Sequence, residues 1–104
     1  AGSGGYRILS GVVQTMVHAV DLGMPLRAAV DAPRVYCQGE QLFVDERLPA
    51  ATLQALAGLG HTVIAERVTP AYAPFARVSA VSALRGELEA ASDPPWNTAA
   101  GSLE

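Results

Sequence analysis

The stretch Ile8–Leu22 repeats apolar residues at helical spacing: Ile8, Leu9, Val12, Val13, Met16, Val17 and Val20. Ser10, Gln14, His18 and Asp21 fall on a narrow polar stripe between them. That period predicts a helix whose wide apolar face is mostly buried. The chain around it has the balance such a helix needs. Of its 104 residues half are hydrophobic and 16% are charged, the reverse of a disordered tail. A chain of this size buries roughly two-thirds of its unfolded surface, as one small domain or as a piece of a larger one.

Breakers divide the remainder. Gly23 stands where a left-handed C-terminal cap is expected, and Pro25 suits the first turn of a short helix through Val30. Asp31-Ala32-Pro33 stops that helix, because a residue before proline avoids the α region. Arg34–Cys37 and Leu42–Glu46 read as strands around the turn Gln38-Gly39-Glu40. Pro49–Leu59 reads as a third helix stopped by Gly60, and His61–Arg67 as a β-branched strand. Thr69–Pro74 reads as a loop. Arg77–Leu84 and Glu87–Ala91 read as a hairpin around Arg85-Gly86, followed by the coil Asp93-Pro94-Pro95-Trp96-Asn97. Strands and helices do not strictly alternate. The expected class is therefore α+β and not a doubly wound parallel sheet.

Charge and length narrow the function. The net charge is −3, and the seven basic residues, all arginines, are spread from Arg7 to Arg85. No basic patch forms, which argues against nucleic acid as a partner. No apolar run reaches the roughly 18 residues of a membrane span. The single Cys37 excludes an internal disulfide and leaves the compartment open. The chain opens on Ala1-Gly2-Ser3-Gly4-Gly5, read as a flexible loop with no element before it. It closes on residues 102–104, read as a vector-derived tail because Leu103-Glu104 matches a common cloning scar. Both ends are thus expected to be cut from a longer parent.

The strongest candidate for chemistry is Gly2-Ser3-Gly4-Gly5 running straight into the first helix. Backbone N–H groups at a helix start bind negative charge, and glycine lets the main chain come close to it. Such a segment serves a phosphate or an oxyanion, and equally a floppy end. Neither nucleotide fingerprint is met, since there is no Gly-Lys-Ser/Thr and no expected strand before the loop. His18 and His61 have no neighbouring ligand set and read as solvent-facing residues, so no metal site is expected. No cofactor is expected either. Cys37 reads as a buried, inert thiol. Glu87 and Glu89 read as one solvated strand face. Trp96 suits either an exposed anchor or a cap on the sheet.

Taken together, several segments carry a resemblance. Gly4-Gly5-Tyr6-Arg7-Ile8 leads the helix and Asp21-Leu22-Gly23-Met24 ends it. Ala28-Ala29-Val30-Asp31-Ala32-Pro33-Arg34, Leu42-Phe43-Val44-Asp45-Glu46, and the run from Leu53-Gln54-Ala55-Leu56 to Gly60-His61-Thr62-Val63 follow. Ala90-Ala91-Ser92-Asp93-Pro94 and Ala99-Ala100-Gly101 close the series. This order resembles the C-terminal half of the small subunit of gamma-glutamyltranspeptidases, with residues 1–101 as that portion.

The resemblance implies a fragment of an N-terminal-nucleophile hydrolase with an αββα sandwich. Such a precursor cuts itself, and a new N-terminal threonine attacks the gamma-glutamyl amide of glutathione or a related compound. The glutamyl group then passes to water or to an amino acid. The family's oxyanion-hole glycines map onto Gly4 and Gly5. Its nucleophile has no match here: Thr15 falls mid-helix, and Thr52, Thr62, Thr69 and Thr98 come later. The isolated chain is therefore expected to be inactive. Its partners would be the large subunit and the N-terminal part of the small subunit, and alone it is expected to self-associate. Two departures stand out. Gly2-Ser3 replaces the family's Ser or Thr followed by Pro, and Tyr36-Cys37, ahead of the matching Gln38, replaces a histidine pair. They leave open a related acylase or a non-catalytic assembly module. The family is often periplasmic or secreted in bacteria, which does not fix the compartment.

Overall fold

The computed structural model describes residues 2, 3, 5–69 and 72–92. Its elements are β1 (Gly2–Ser3), a 3-10 turn (Gly5–Arg7), α1 (Ile8–Met16) continued by a π-helical turn (Val17–Asp21), and α2 (Leu26–Asp31). They continue with β2 (Val35–Gln38), β3 (Gln41–Asp45), α3 (Ala50–Gly58), β4 (Thr62–Glu66), β5 (Arg77–Ser82) and β6 (Glu89–Ser92). The breakers act where expected. Gly23 takes φ +66 after the first helix and Gly60 takes φ +100 after α3, conformations that glycine adopts without a Cβ penalty. Pro25 and Pro49 stand just ahead of α2 and α3. Ala32 swings to ψ 141 before Pro33 and ends α2.

The strands form two three-stranded sheets, ordered β1-β5-β6 and β2-β3-β4. The first is antiparallel throughout, with Gly2 opposite Val78 and Ser79 opposite Ser92. In the second, β3 pairs antiparallel with β2 and parallel with β4. α1 and α2 pack on β5, and α2 also packs on β6. Their shared core is Ala19, Leu26, Ala29, Val30 and Ala91. Leu42 and Val44 are the buried apolar residues of β3.

Four expectations are corrected. The opening residues are not a loop without structure, because Gly2 and Ser3 pair with β5. A strand can form there because Gly2 has no side chain: a Cβ would lie 3.2 Å from Ile8 and Val12 and 3.3 Å from the Arg77 carbonyl oxygen. The apolar face of the first helix is not mostly buried, with Leu9 73%, Met16 58% and Val20 58% exposed. The helix instead turns Gly11, Thr15 and Ala19 inward. Gly11 lies so close to the backbone that a Cβ would sit 3.0 Å from the Phe75 carbonyl oxygen. Cys37 is exposed, since β2 passes from half-buried at Val35 and Tyr36 to exposed at the end nearest the turn. Glu87 and Glu89 do not share a strand, because β6 starts only at Glu89.

Polar side chains at least partly buried tie the layers together. The Gln14 side-chain amide accepts from the Val35 N–H at 2.9 Å and donates to the Val35 carbonyl at 2.8 Å, fastening α1 to the start of β2. Arg34, 5% exposed, donates to the Val30 carbonyl at 2.8 Å and to the Phe75 and Ala76 carbonyls at 3.3 Å each. Ala76 holds φ 65, unusual for a residue with a Cβ. Arg34 therefore pins the bend that delivers the chain into β5.

Candidate functional site

Of the segment Gly2-Ser3-Gly4-Gly5, Gly2 and Ser3 form β1 and Gly5 leads into α1. Gly4 falls outside the described residues, as do the coil from Asp93 through Trp96 and residues 102–104. Gly5 opens the 3-10 turn with φ +69 and is exposed, and nothing lies within 4 Å of where its Cβ would stand. Glycine is required there by the backbone angle and not by crowding. Arg7 occupies the N-cap position of α1 without a side-chain cap hydrogen bond, and the first turn holds no acidic residue. Neither Arg7 nor an acidic residue of the first turn occupies the N–H groups of this helix start, a place suited to an anionic ligand.

Both sides of the segment are held. On one side β1 is hydrogen-bonded to β5 and lies tight against Ile8 and Val12 of α1. On the other, Arg7 reaches across to the second sheet. Its Nη1 donates to the Pro74 carbonyl at 2.6 Å and sits 3.5 Å from Glu66 Oε2. The guanidinium lies over three rings, with centroids 4.8 Å away for Tyr36, 4.6 Å for Phe43 and 5.9 Å for Phe75. Tyr72 donates from its hydroxyl to Glu66 at 3.2 Å. Burial raises the Tyr72 phenol above its ordinary value, and the negative Glu66 beside it raises it further.

The other candidates do not converge on this place. His18 lies in the π-helical turn, and its buried Nδ1 lacks a hydrogen-bond partner among the described residues. His61 is exposed just before β4. Cys37 Sγ contacts the Gly39 carbonyl at 3.6 Å. Thr15 is buried mid-helix, its hydroxyl spent on the Gly11 carbonyl at 3.0 Å. Among the described residues no group of three or more His, Cys, Asp or Glu side chains is placed to hold a metal ion. An apolar cavity of about 300 Å³ opens between α1 and β5, lined by Met16, Ala19, Val20 and residues 80–84. It lies toward the C-terminal end of the helix, roughly 17 Å from Gly5 at the usual helical rise.

Sequence reasoning missed Arg7, Gln14 and Arg34 as organising residues. Arg7 stood in the quoted Gly4-Gly5-Tyr6-Arg7-Ile8 segment, but its three ring partners are scattered along the chain and gave no signal.

Comparison with known proteins supplies the context. The family model for gamma-glutamyltranspeptidase matches residues 2–102. The Acylase ACY 1 proenzyme of a Pseudomonas species is 41% identical over 61 residues, 59% of this chain and 11% of that protein. Glutathione hydrolase proenzyme 1 of Schizosaccharomyces pombe is 33% identical over 94 residues, 88% of this chain and 14% of that protein. The solved gamma-glutamyltranspeptidase of Pseudomonas nitroreducens superposes with a TM-score of 0.80 at 24% identity, covering 99% of this chain and 53% of that one. The α+β arrangement is accordingly a fragment of the αββα sandwich of N-terminal-nucleophile hydrolases. The chain spans only 10% to 14% of the length of the curated relatives it matches.

Proposed function

The chain belongs to the gamma-glutamyltranspeptidase family, and we propose that it is the C-terminal portion, residues 1–101, of the small subunit of a gamma-glutamyltransferase or glutathione hydrolase. In that protein a threonine outside this chain attacks the carbonyl carbon of a gamma-glutamyl amide. The carbonyl oxygen becomes an oxyanion and accepts hydrogen bonds from the Gly4 and Gly5 N–H groups. As the C–N bond breaks, the proton lost by the threonine hydroxyl goes to the leaving amine. A glutamyl ester on the threonine remains, and water or the amino group of an amino acid then resolves it. Fixed N–H groups aimed at that oxygen stabilise the transition state more than the ground state.

The observation that carries this reading is Gly5 itself. It sits exposed in the left-handed region at the head of a helix whose first turn holds no acidic residue. Thr15 is buried and donates its hydroxyl to the Gly11 carbonyl, which supports a nucleophile outside this chain. The remaining partners are the other parts of the same precursor, which would cover the exposed apolar face of α1.

A second reading keeps the fold and the glycine amides but changes the acyl group. It is favoured by the match to an acylase and by Tyr36-Cys37 standing where the resemblance expects histidines. The test is to express the full-length precursor, follow its cleavage by mass, and assay release of nitroaniline from gamma-glutamyl-p-nitroanilide. Cleavage at a threonine with release supports the transpeptidase, and cleavage without release supports the acylase. An uncleaved, inactive precursor overturns both. The pure 104-residue chain is expected to release nothing, and threonine-dependent turnover by it alone would refute the placement of the nucleophile.

A further inference from the structure

We infer that Arg7 is a positioning residue for the glycine loop, acting on the oxyanion through the main chain and not by touching substrate. The inference rests on the oxyanion reading of Gly5. A cation at a helix N-terminus opposes the helix dipole, so the stability of α1 alone gives no reason for an arginine at its N-cap position. Its guanidinium is also turned away from open solvent, the side chain being 19% exposed.

What the guanidinium holds explains its place. Tyr36 and Phe43 are direct cross-strand neighbours in β2 and β3, and together they form one wall over the cation. Glu66 at the end of β4 supplies the counter-charge. The 2.6 Å bond to the Pro74 carbonyl and the contact with Phe75 grip the segment that leads into β5. β5 is the partner of β1, the strand immediately before the glycine segment. Arg7 thereby closes a ring: β1, the glycine turn, Arg7, Pro74-Phe75, β5 and back to β1. The ring sets the rotation of the first helical turn relative to both sheets. That rotation aims the Gly5 N–H. A planar fork that stacks and donates at once suits the task, which the ammonium of lysine cannot reproduce.

The test uses the full-length autoprocessed protein with Gly5→Ala, Arg7→Met and Arg7→Lys variants. Rates are expressed per processed molecule on the p-nitroanilide that the parent cleaves. Arg7→Met keeps an apolar stem against the rings and removes the charge and the fork. We expect its kcat to fall roughly 10- to 100-fold with KM within about twofold, because misplacement of about 1 Å costs on the order of 100-fold. Arg7→Lys should fall between the two. A wild-type kcat in Arg7→Met, with only yield or melting temperature reduced, overturns the inference, as does a change confined to KM. If Arg7→Met does not process, Arg7→Lys decides by the same criteria: reduced kcat at unchanged KM supports the inference, and wild-type kcat overturns it. Gly5→Ala separates this inference from its premise. An impaired Gly5→Ala beside an unimpaired Arg7→Met defeats the positioning role alone. A Gly5→Ala enzyme with wild-type kcat defeats the oxyanion reading and the positioning role with it.

Discussion

The two faces of α1 and its π-helical extension differ in a way that reverses the usual rule. One face carries Gly11, Thr15 and Ala19, residues of little or mixed hydrophobicity, and it is buried. The other carries Leu9, Val13, Met16 and Val20, and each of these is between 48% and 73% exposed. Burial here follows proximity to β5 and not side-chain size. The helix comes down onto the Phe75 carbonyl because Gly11 offers no Cβ, and Leu9, Val13, Met16 and Val20 are left exposed. The lesson is that an apolar stripe tells which face wants cover, while the small residues tell where the backbone has already found it.

The largest expected effect attacks the wall that the small face packs on. Arg34→Leu removes, among others, the bonds donated to the buried carbonyls of Val30, Phe75 and Ala76. It should cost about 3 kcal/mol in urea unfolding of the chain. A loss within 0.5 kcal/mol, on the scale of an ordinary surface substitution, would show that the Phe75–Ala76 bend holds itself. Next comes Gly11→Val, which drives two methyl groups toward the Phe75 carbonyl and should cost about 2 kcal/mol. If thermal melts show no loss, the close approach of α1 to β5 is not what fixes the helix.

The opposite face should behave oppositely. Leu9→Gln, Met16→Gln and Val20→Gln should each change the stability of the isolated chain by no more than about 0.5 kcal/mol. Combined, they should reduce its self-association in sedimentation equilibrium, since an exposed apolar patch drives association. Destabilisation as large as that of Gly11→Val would erase the contrast between the faces. The smallest effect concerns Tyr72. Its raised phenol favours the neutral form in the fold, so its contribution is fully present below the ordinary tyrosine range and is lost as pH rises through the raised value. Glu66→Gln should shift the ultraviolet phenolate titration of Tyr72 back toward the ordinary value, because two of the raising causes come from Glu66. An unmoved titration would assign the shift to burial alone.

Much of the fold was legible because breakers act locally. Gly23, Pro25, Pro33, Pro49 and Gly60 mark element ends by backbone geometry that no distant residue alters. The hairpin of β5 and β6 was legible for the same reason, its turn lying around Arg85-Gly86. β1 was not, because two residues carry no periodicity and pair with a strand more than seventy positions later. Gly5 was singled out from its place before a helix, and its left-handed backbone agrees with the need for glycine. The exposure of Cys37 depended on which strand end was left uncovered, which neighbouring residues do not announce.

By itself the sequence determined the α+β class, the element order from the first helix onward, and the family resemblance through segments such as Asp31-Ala32-Pro33-Arg34. These depend on local backbone preference and on hydrophobic period, both written in consecutive residues. The tertiary structure decided which face of α1 is inside, that Gly2 and Ser3 form a strand, and that Arg7 meets Tyr36, Phe43 and Phe75. Those outcomes depend on non-local packing, where one missing Cβ at Gly11 or Gly2 sets a distance between elements that spacing along the chain does not encode.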